Sequence, residues 1–249
     1  MSLPPAEVEA IERATLAAVS PERVEEIGGF LAAIDPGTIR RASSAVPLSH
    51  ELAGFDGAVV DAIEARYAED GRRPAFRVSD APGLEPLRRE LAARGYRPEQ
   101  PTLVKIGDTS GLRALAASAA EVADRPDEAW AQVFLGEGFD PVDGGFRVRA
   151  LSRSPGAVFA SVREGAQALA VGVASFSYGW TSIHGMRTAR ARRGEGLAGR
   201  VLAGLAVAAE ARGLGRVFLQ VEEGNASARA LYRRAGLRPA WRYFYWSRP

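Results

Sequence analysis

The feature that most constrains the fold is a basic, glycine-rich turn that leads into an apolar helix. Residues 190–193 (RARR) precede residues 194–199 (GEGLAG), and an apolar stretch continues to about residue 212. Amide groups at the start of a helix lack partners within it and carry partial positive charge. Glycine lets a phosphate approach these amides. Four arginines near the turn can add charge: Arg190, Arg192, Arg193 and Arg200. The turn therefore predicts a pyrophosphate site; the alternative is an ordinary turn with solvated arginines.

Strands and helices alternate on both sides of this turn. The second half predicts a helix near 128–136, strands over 157–164, 167–177 and 180–188, a helix over 197–212, a strand over 216–222, a helix over 226–235 and a strand over 240–247. The first half predicts strands over 28–34, 38–48, 75–78 and 101–106 and helices over 57–70 and 84–94. An alanine-rich helix is expected between about 107 and 128, ending in a linker at 124–127. This alternation favours an α/β (α+β) fold.

Composition narrows the class of protein. The chain has no cysteine and only two histidines, so a bound metal is not expected. Its net charge is +2 and it lacks an interleaved basic and aromatic stripe, which argues against a nucleic-acid partner. No apolar run reaches the length of a membrane span, and the first twenty residues lack the regions of a signal peptide. We expect a cytoplasmic monomer or homodimer without a membrane partner.

The glycine turn also fits the dinucleotide-binding pattern G-x-G-x-x-G, with Glu222 near the position of a ribose-binding acid. Two features oppose that interpretation. The pattern requires an apolar strand directly before the first glycine, where this chain has arginines. A dinucleotide fold also requires further β-α units, and only 27 residues follow Glu222. A different phosphate-containing ligand is favoured.

A second motif identifies that ligand. Residues 225–237 (NASARALYRRAGL) form an N-capped helix with a glycine stop. This segment fits Asn-x-x-Ala-x-x-Leu-Tyr-x-x-x-Gly-Phe/Leu, and residues 193–198 fit Arg/Gln-x-x-Gly-x-Gly/Ala. In this order the two motifs resemble those of the GCN5-related N-acetyltransferase (GNAT) superfamily, over about residues 157–249. The resemblance implies a mixed, mostly antiparallel sheet that splays between its fourth and fifth strands, and acetyl-CoA as co-substrate.

The resemblance also assigns the binding residues. The pantetheine arm would pair with the fourth strand at Met186, Arg187 and Thr188. Asn225 would bind the pantetheine or cap its own helix. The pyrophosphate would be held by main-chain amides beside Arg200, namely those of Arg193, Gly194, Glu195, Gly196, Leu197, Ala198 and Gly199.

The implied reaction is direct transfer of an acetyl group to a primary amine of a small molecule or a protein. Tyr232 would be the general acid that protonates the leaving thiolate, and its alternative role is structural. Well-studied members often carry a carboxylate early in the fourth strand, which is missing here. His184, Glu222 or a water relay could replace it as the base, and strand alternation would put Ser182, His184 and Met186 on one face. The missing carboxylate leaves a second function open, that of a non-catalytic acyl-CoA-binding sensor.

The first half resembles the second weakly. The aligned pairs are the segments 95–98 and 236–239, Gly71 and Gly213, Phe76 and Phe218, Gly54 and Gly196, Gly57 and Gly199, and Leu91 and Tyr232. The arginines are missing from the first copy, and Glu51 and Asp56 would repel phosphate. We therefore predict two tandem GNAT-like domains, residues 1–125 and 126–249. The first should bind no cofactor and should form a wall of the acceptor cleft.

Overall fold

The computed structural model describes residues 3–136, 138 and 140–249, which form a mixed sheet flanked by helices. The helices are α1 (Pro5–Val19), α2 (Ala58–Glu69), α3 (Glu85–Ala93), α4 (Thr109–Arg113), α5 (Glu128–Leu135), α6 (Pro141–Ser152), α7 (Leu197–Glu210) and α8 (Ala226–Arg234). The strands are β1 (Arg23–Ile27), β2 (Phe30–Ile34), β3 (Ala45–Pro47), β4 (Phe76–Ser79), β5 (Arg97–Asp108), β6 (Glu121–Ala123), β7 (Val158–Glu164), β8 (Gln167–Ser177), β9 (Trp180–Thr188), β10 (Arg216–Glu222) and β11 (Arg238–Ser247). Among the helices described, none is both long and apolar enough for a membrane span.

The two halves of the chain exchange their last strands. The sheet order in the described residues is β1-β2-β3-β4-β11-β5-β10-β9-β8-β7-β6. Thus β5 runs antiparallel to β10, with Ile106 opposite Phe218. In the same way β11 runs antiparallel to β4, with Phe244 opposite Val78. The sheet continues through both halves, and the domain boundary near residue 125 stays a prediction.

Alternation along β10 separates two layers of core. Val217, Leu219 and Val221 pack with α7 and with Tyr232 of α8 on one face of the sheet. Phe218 points to the opposite face, where it packs with Val8 of α1 and with aromatic residues of β9 and β11. Helices α5 and α6 cover β7 and β8 on this same side as α1. A ligand between β9 and β10 would therefore have a helix on either side of it.

The first half has a matching layer, with one difference from the aligned sequence. Phe76 and Val78 of β4 pack with α2 and α3. Val217 and Leu219 pack in the same way against α7 and α8. Phe76 therefore corresponds to Val217, and the expected match with Phe218 is wrong by one residue, which in a strand reverses the face.

The alanine-rich segment after β5 is not the long helix that its composition predicts. It forms the short helix α4 and the edge strand β6, which pairs with β7. The connecting segment is tied to α7, since the Ala120 amide donates to the Arg200 carbonyl at 2.9 Å. A Cβ at Gly204 would lie 2.6 Å from the Ala120 carbonyl, so α7 admits this close contact only at a glycine. Tertiary packing overrides helix propensity here.

Two other segments differ from their predicted structure. Residues 38–48 form a 3-10 turn at Arg40–Ser43 followed by the short β3, rather than one strand. Residues 141–152, taken as a loop, form α6, whose first amides are capped by Asp140. Gly144 and Gly145 lower the helix propensity of this segment, so the sequence pattern does not predict the helix. Gly144 is required because a Cβ there would lie 2.3 Å from the Phe134 carbonyl oxygen.

Candidate active site

The site is built around a split between the parallel strands β9 and β10. They pair from Thr181 opposite Val217 only as far as Ile183 opposite Leu219. Immediately beyond, Gly185 adopts φ +59° and the β8–β9 register shifts, which defines a β-bulge. The bulge bends β9 away from β10. The edge of residues 186–188 that faces β10 is thus available for an added strand.

The bulge also changes which side chains share a face. His184 lies on the α1 side, where its ring meets the edge of Phe218. Met186 packs with Val201 and Leu205 of α7 on the opposite side. The expectation that Met186 and His184 share a face is therefore wrong, because the extra residue of a bulge reverses the alternation.

The glycine turn closes one end of the split. Gly194 and Gly196 adopt φ +88° and +77°, which glycine tolerates best. Gly196 is the N-cap of α7, and the helix start has no side-chain cap. Within the part of the chain that the structure describes, the amides of residues 194–198 donate to no backbone carbonyl. These amides place partial positive charge at the helix start, as an anion site requires.

The arginines near the turn differ in their surroundings. Arg192 forms ion pairs with Glu164 and Glu195, each at 2.8 Å, so its charge is already matched. Arg200 reaches Ser118 at 3.4 Å. Arg187 lies over the ring of Phe134 and near Asp143, and burial lowers its pKa, with Arg147 adding to the effect. Carboxylates of the protein thus already match the charge of Arg192, and Arg187 adds a positive charge on β9 beside the split.

The helix that follows β10 carries the predicted acid. Tyr232 is only 6% exposed and belongs to the core between α7, α8 and the sheet. Burial raises the pKa of its hydroxyl to about 12, so the group is protonated at neutral pH. Asn225 caps α8, since its side-chain oxygen accepts from the Ala228 amide at 3.1 Å.

The two candidate bases lie on the α1 side of the sheet, and each is linked to an arginine of the 3-10 turn at Arg40–Ser43. Arg41 Nη1 donates to His184 Nδ1 at 3.3 Å and to Gln220 Oε1 at 3.4 Å. Burial, followed by the charge of Arg41, holds the pKa of His184 well below its usual 6.5. His184 is 3% exposed, whereas Glu222 is exposed at the end of β10.

Glu222 is linked to the turn through a strained residue. Gln100 Nε2 donates to Glu222 at 2.9 Å, and Arg40 donates to the Gln100 side-chain oxygen at 3.1 Å. Gln100 itself has φ +52°, a left-handed conformation that non-glycine residues rarely adopt. It lies where the β5–β11 register shifts. Strain of this kind is concentrated at functional sites.

Sequence reasoning missed Arg40, Arg41, Gln100 and Gln220. The two glutamines lie within strands and carry no local signal, and the two arginines lie in a stretch predicted as a strand. They converge because β5 and β11 are exchanged between halves, which brings the first half against the split. The adjacent arginines within an otherwise apolar segment were the one available signal.

Comparison with known proteins identifies the family. The family model described as "Probable histone acetyltransferase Rv0428c C-terminal" matches residues 5–246. The chain belongs to this family. The GNAT superfamily predicted from the two motifs is thereby confirmed, and with it the GNAT fold. No curated protein matches the chain.

Solved GNAT structures share this fold at low identity. A GCN5-related N-acetyltransferase from Kribbella flavida has a TM-score of 0.71 and 18% identity, covering 97% of this chain and 95% of its own. One from Sphaerobacter thermophilus has a TM-score of 0.60 and 16% identity, covering 100% and 95%. A tandem GNAT protein from the clavulanic acid biosynthesis pathway has a TM-score of 0.62 and 15% identity, covering 95% and 86%. These similarities extend the GNAT likeness over both halves of the chain.

Proposed function

We propose that the protein transfers an acetyl group from acetyl-CoA to a primary amine of a small-molecule or protein acceptor by direct attack. The observation that carries the proposal is the split between β9 and β10, which ends at a helix start whose amides, at residues 194–198, donate to no backbone carbonyl of the described chain. An extended arm can pair along such a split, and a pyrophosphate can bind the amides beyond it. Two strands paired along their full length would leave no strand edge with which an extended arm could pair.

The residues present fit acetyl-CoA. The backbone of Met186, Arg187 and Thr188 would hold the pantetheine arm, and the amides of residues 194–198, with Arg200, would hold the pyrophosphate. The amides of Arg193 and Gly199, also expected at this site, already donate to the carbonyls of Arg190 and Gly196. Gly194, Gly196 and Gly224 border open space, since a Cβ on any of them would meet no described atom within 4 Å. When bound, acetyl-CoA would supply the activated acyl group as a thioester.

The acid and the base would act from opposite sides of the sheet. Tyr232, on the α7–α8 side, donates its proton to the sulfur as the C–S bond breaks. Its raised pKa keeps that proton in place at neutral pH, although it makes the transfer less favourable than from an ordinary tyrosine. Glu222, on the α1 side, accepts the proton that the acceptor amine loses, directly or through water. Separating the two groups lets the amine and the thiol occupy different sides of the reacting carbon.

The test is thiol release from acetyl-CoA across a library of primary amines. Tyr232→Phe should lower kcat on the order of 10²-fold while leaving the Kd of acetyl-CoA within about twofold, because only proton transfer is removed. Tyr178→Phe is the matched control, since Tyr178 is 57% exposed and lies outside the split. Binding of acetyl-CoA without amine-dependent thiol release would contradict the proposal and favour a sensor.

A further inference from the structure

The His184 side chain occupies the point where the split opens. Ile183 forms the last pair with Leu219, and His184 is the next residue of β9, directly before the bulge at Gly185. A group at this position can reach whatever enters the split from the α1 side. The protonation of its two ring nitrogens therefore decides what chemistry it can perform.

The contact with Arg41 determines that protonation. A guanidinium has donors only and stays charged at every relevant pH. At 3.3 Å from Arg41 Nη1, His184 Nδ1 must accept, so it carries a lone pair. A neutral imidazole has one N–H, which is then on Nε2.

The surroundings keep the ring neutral. Burial and the positive charge of Arg41 both disfavour a second proton on His184. Glu12 of α1 is the nearby carboxylate, but it is itself buried and paired with Arg77 at 2.5 Å. Tyr243 of β11 donates to Gln220 at 2.8 Å and so bonds a neutral group. No described carboxylate within ion-pair distance of the ring opposes Arg41.

The Nε2 atom is buried and has no hydrogen-bond partner among the described residues. Buried donors are almost always paired in folded proteins, and each exception needs an explanation, of which a catalytic role is one. An acceptor atom of a bound ligand at the opening of the split meets that requirement.

We infer that His184 is a hydrogen-bond donor to the thioester carbonyl oxygen of acetyl-CoA rather than the base, and that Arg41 is the positioning residue that fixes its tautomer. The inference rests on the proposed acetyl transfer. As the amine nitrogen bonds to the carbonyl carbon, an electron pair moves to the oxygen, which accepts from Nε2–H. The pair then restores C=O, the C–S bond breaks, and sulfur leaves with its electrons and takes the Tyr232 proton. The nitrogen loses its extra proton to Glu222.

Nuclear magnetic resonance of protein labelled with ¹⁵N-histidine tests the tautomer without turnover. His50→Gln leaves His184 as the single histidine and assigns its signals. We expect the Nε2–H tautomer at neutral pH, retained in Arg41→Lys and mixed with Nδ1–H in Arg41→Met. An Nδ1–H tautomer or an imidazolium in the otherwise unchanged protein would overturn the inference.

The same signal tests the carbonyl contact. S-acetonyl-CoA, an uncleavable thioether that keeps the carbonyl, should shift the Nε2–H resonance, whereas CoA should shift it far less. Binding of both compounds with equal effect would refute the contact and leave the proposed function intact. If calorimetry detects binding of neither, the proposed function fails together with the contact, although the tautomer result stands separately.

Turnover then distinguishes a donor from a base. His184→Phe should lower the kcat of thiol release on the order of 10²-fold, as loss of a single oxyanion donor does, and should raise the Kd of acetyl-CoA far less, because the hydrogen bond strengthens as charge develops on the oxygen. His184→Gln places an amide N–H near the position of Nε2 and should recover most of that loss, because an amide can donate but cannot act as a base. Equal losses in the two variants would contradict the donor role.

Discussion

The first and second halves each contain a parallel strand pair, but only the second pair opens into free space. Strands β3 and β4 pair at Ala45 and Phe76, and the 3-10 turn after β4 then packs on the segment that follows β3. A Cβ on Gly83 in this turn would lie 2.4 Å from the carbonyl oxygen of His50. Counted back from the paired stops Gly95 and Gly236, its counterpart is Gly224, which has nothing within 4 Å. The first split is closed by the chain's own backbone.

The helix starts beside the two splits differ in the same sense. In the first half, the Asp56 carboxylate accepts from the Ala58 amide at 3.1 Å, and the Asp56 carbonyl accepts from the Val59 amide at 3.3 Å. In the second half, the amides of residues 194–198 donate to no backbone carbonyl of the described chain, and Glu195 is held by Arg192. The protein's own groups thus occupy one helix start, and the other is left for an anion.

From this difference we expect that the shared topology does not give the two halves the same capacity to bind a ligand. What matters is whether the chain satisfies its own helix start and fills its own split. The contrast supports the prediction that the first half binds no cofactor and acts as a wall of the acceptor cleft, to which it would contribute Arg40 and Arg41.

The largest expected difference between the halves follows from substituting the left-handed glycine before α2 and the one before α7, because only the second substitution should change the Kd of acetyl-CoA. Gly196→Val puts a β-branched residue at φ +77° and crowds the amides, so the Kd of acetyl-CoA should rise roughly 10- to 100-fold. Gly54→Val, at φ +67°, is the matched control and should leave the Kd unchanged. Calorimetry should also find one acetyl-CoA per chain. A stoichiometry of two, or equal losses in the two variants, would erase the contrast between the halves.

Gly83, after β4, and Gly224, after β10, can be used to test whether the first split is closed and the second is open. Gly83→Ala forces a methyl group against the backbone of His50 and should lower the free energy of unfolding by about 1–3 kcal/mol. Gly224→Ala meets open space and should change it by less than about 0.5 kcal/mol. Urea unfolding measures both, and equal effects would show that the first split is not closed.

Each half contains one histidine, the half-buried His50 in the first and the buried His184 in the second. Burial lowers the pKa of His50 to about 4 and that of His184 well below 6.5. Below about pH 6.5 the unfolded chain gains protons that the folded chain does not, so stability should fall as the pH drops toward 4. Relative to pH 7, His50→Gln should lose about 1–2 kcal/mol less than the unsubstituted protein at pH 4.5. The free energy of unfolding of both proteins should be measured at pH 7 and pH 4.5, and an equal loss in the two proteins would contradict this prediction.

The smallest expected effect concerns the carboxylate next to each helix start. Arg192 holds Glu195 aside, so Arg192→Gln should free Glu195 to repel phosphate and raise the Kd of acetyl-CoA about two- to fivefold at low salt. The double variant Arg192→Gln/Glu195→Gln should restore the affinity. If it binds as weakly as the single variant, Arg192 contacts the ligand itself rather than restraining Glu195.

Local pattern predicted the second half well from residue 157 onward, although it missed α6. The strands β7 to β10, the helices α7 and α8 and the turn at Gly194 and Gly196 all have their own residue signatures and depend on neighbours close in sequence. Only the parts of the candidate site that lie on these elements could be predicted, namely the glycine turn, Tyr232 and residues of β9. Residues that enter from β5 or from the 3-10 turn at Arg40–Ser43 could not be predicted, because their contacts depend on an exchange of strands that no local pattern encodes.

The sequence by itself determined the family, the glycine turn that precedes α7 and the capped helix that carries Tyr232, because dihedral preference and capping act within a few residues. Tertiary structure alone decided that β9 bulges at Gly185, that His184 and Met186 therefore lie on opposite faces of the sheet, and that Arg41 contacts His184. These outcomes depend on the pairing of distant strands and on burial. Only the folded chain therefore determines which nitrogen of His184 carries its proton.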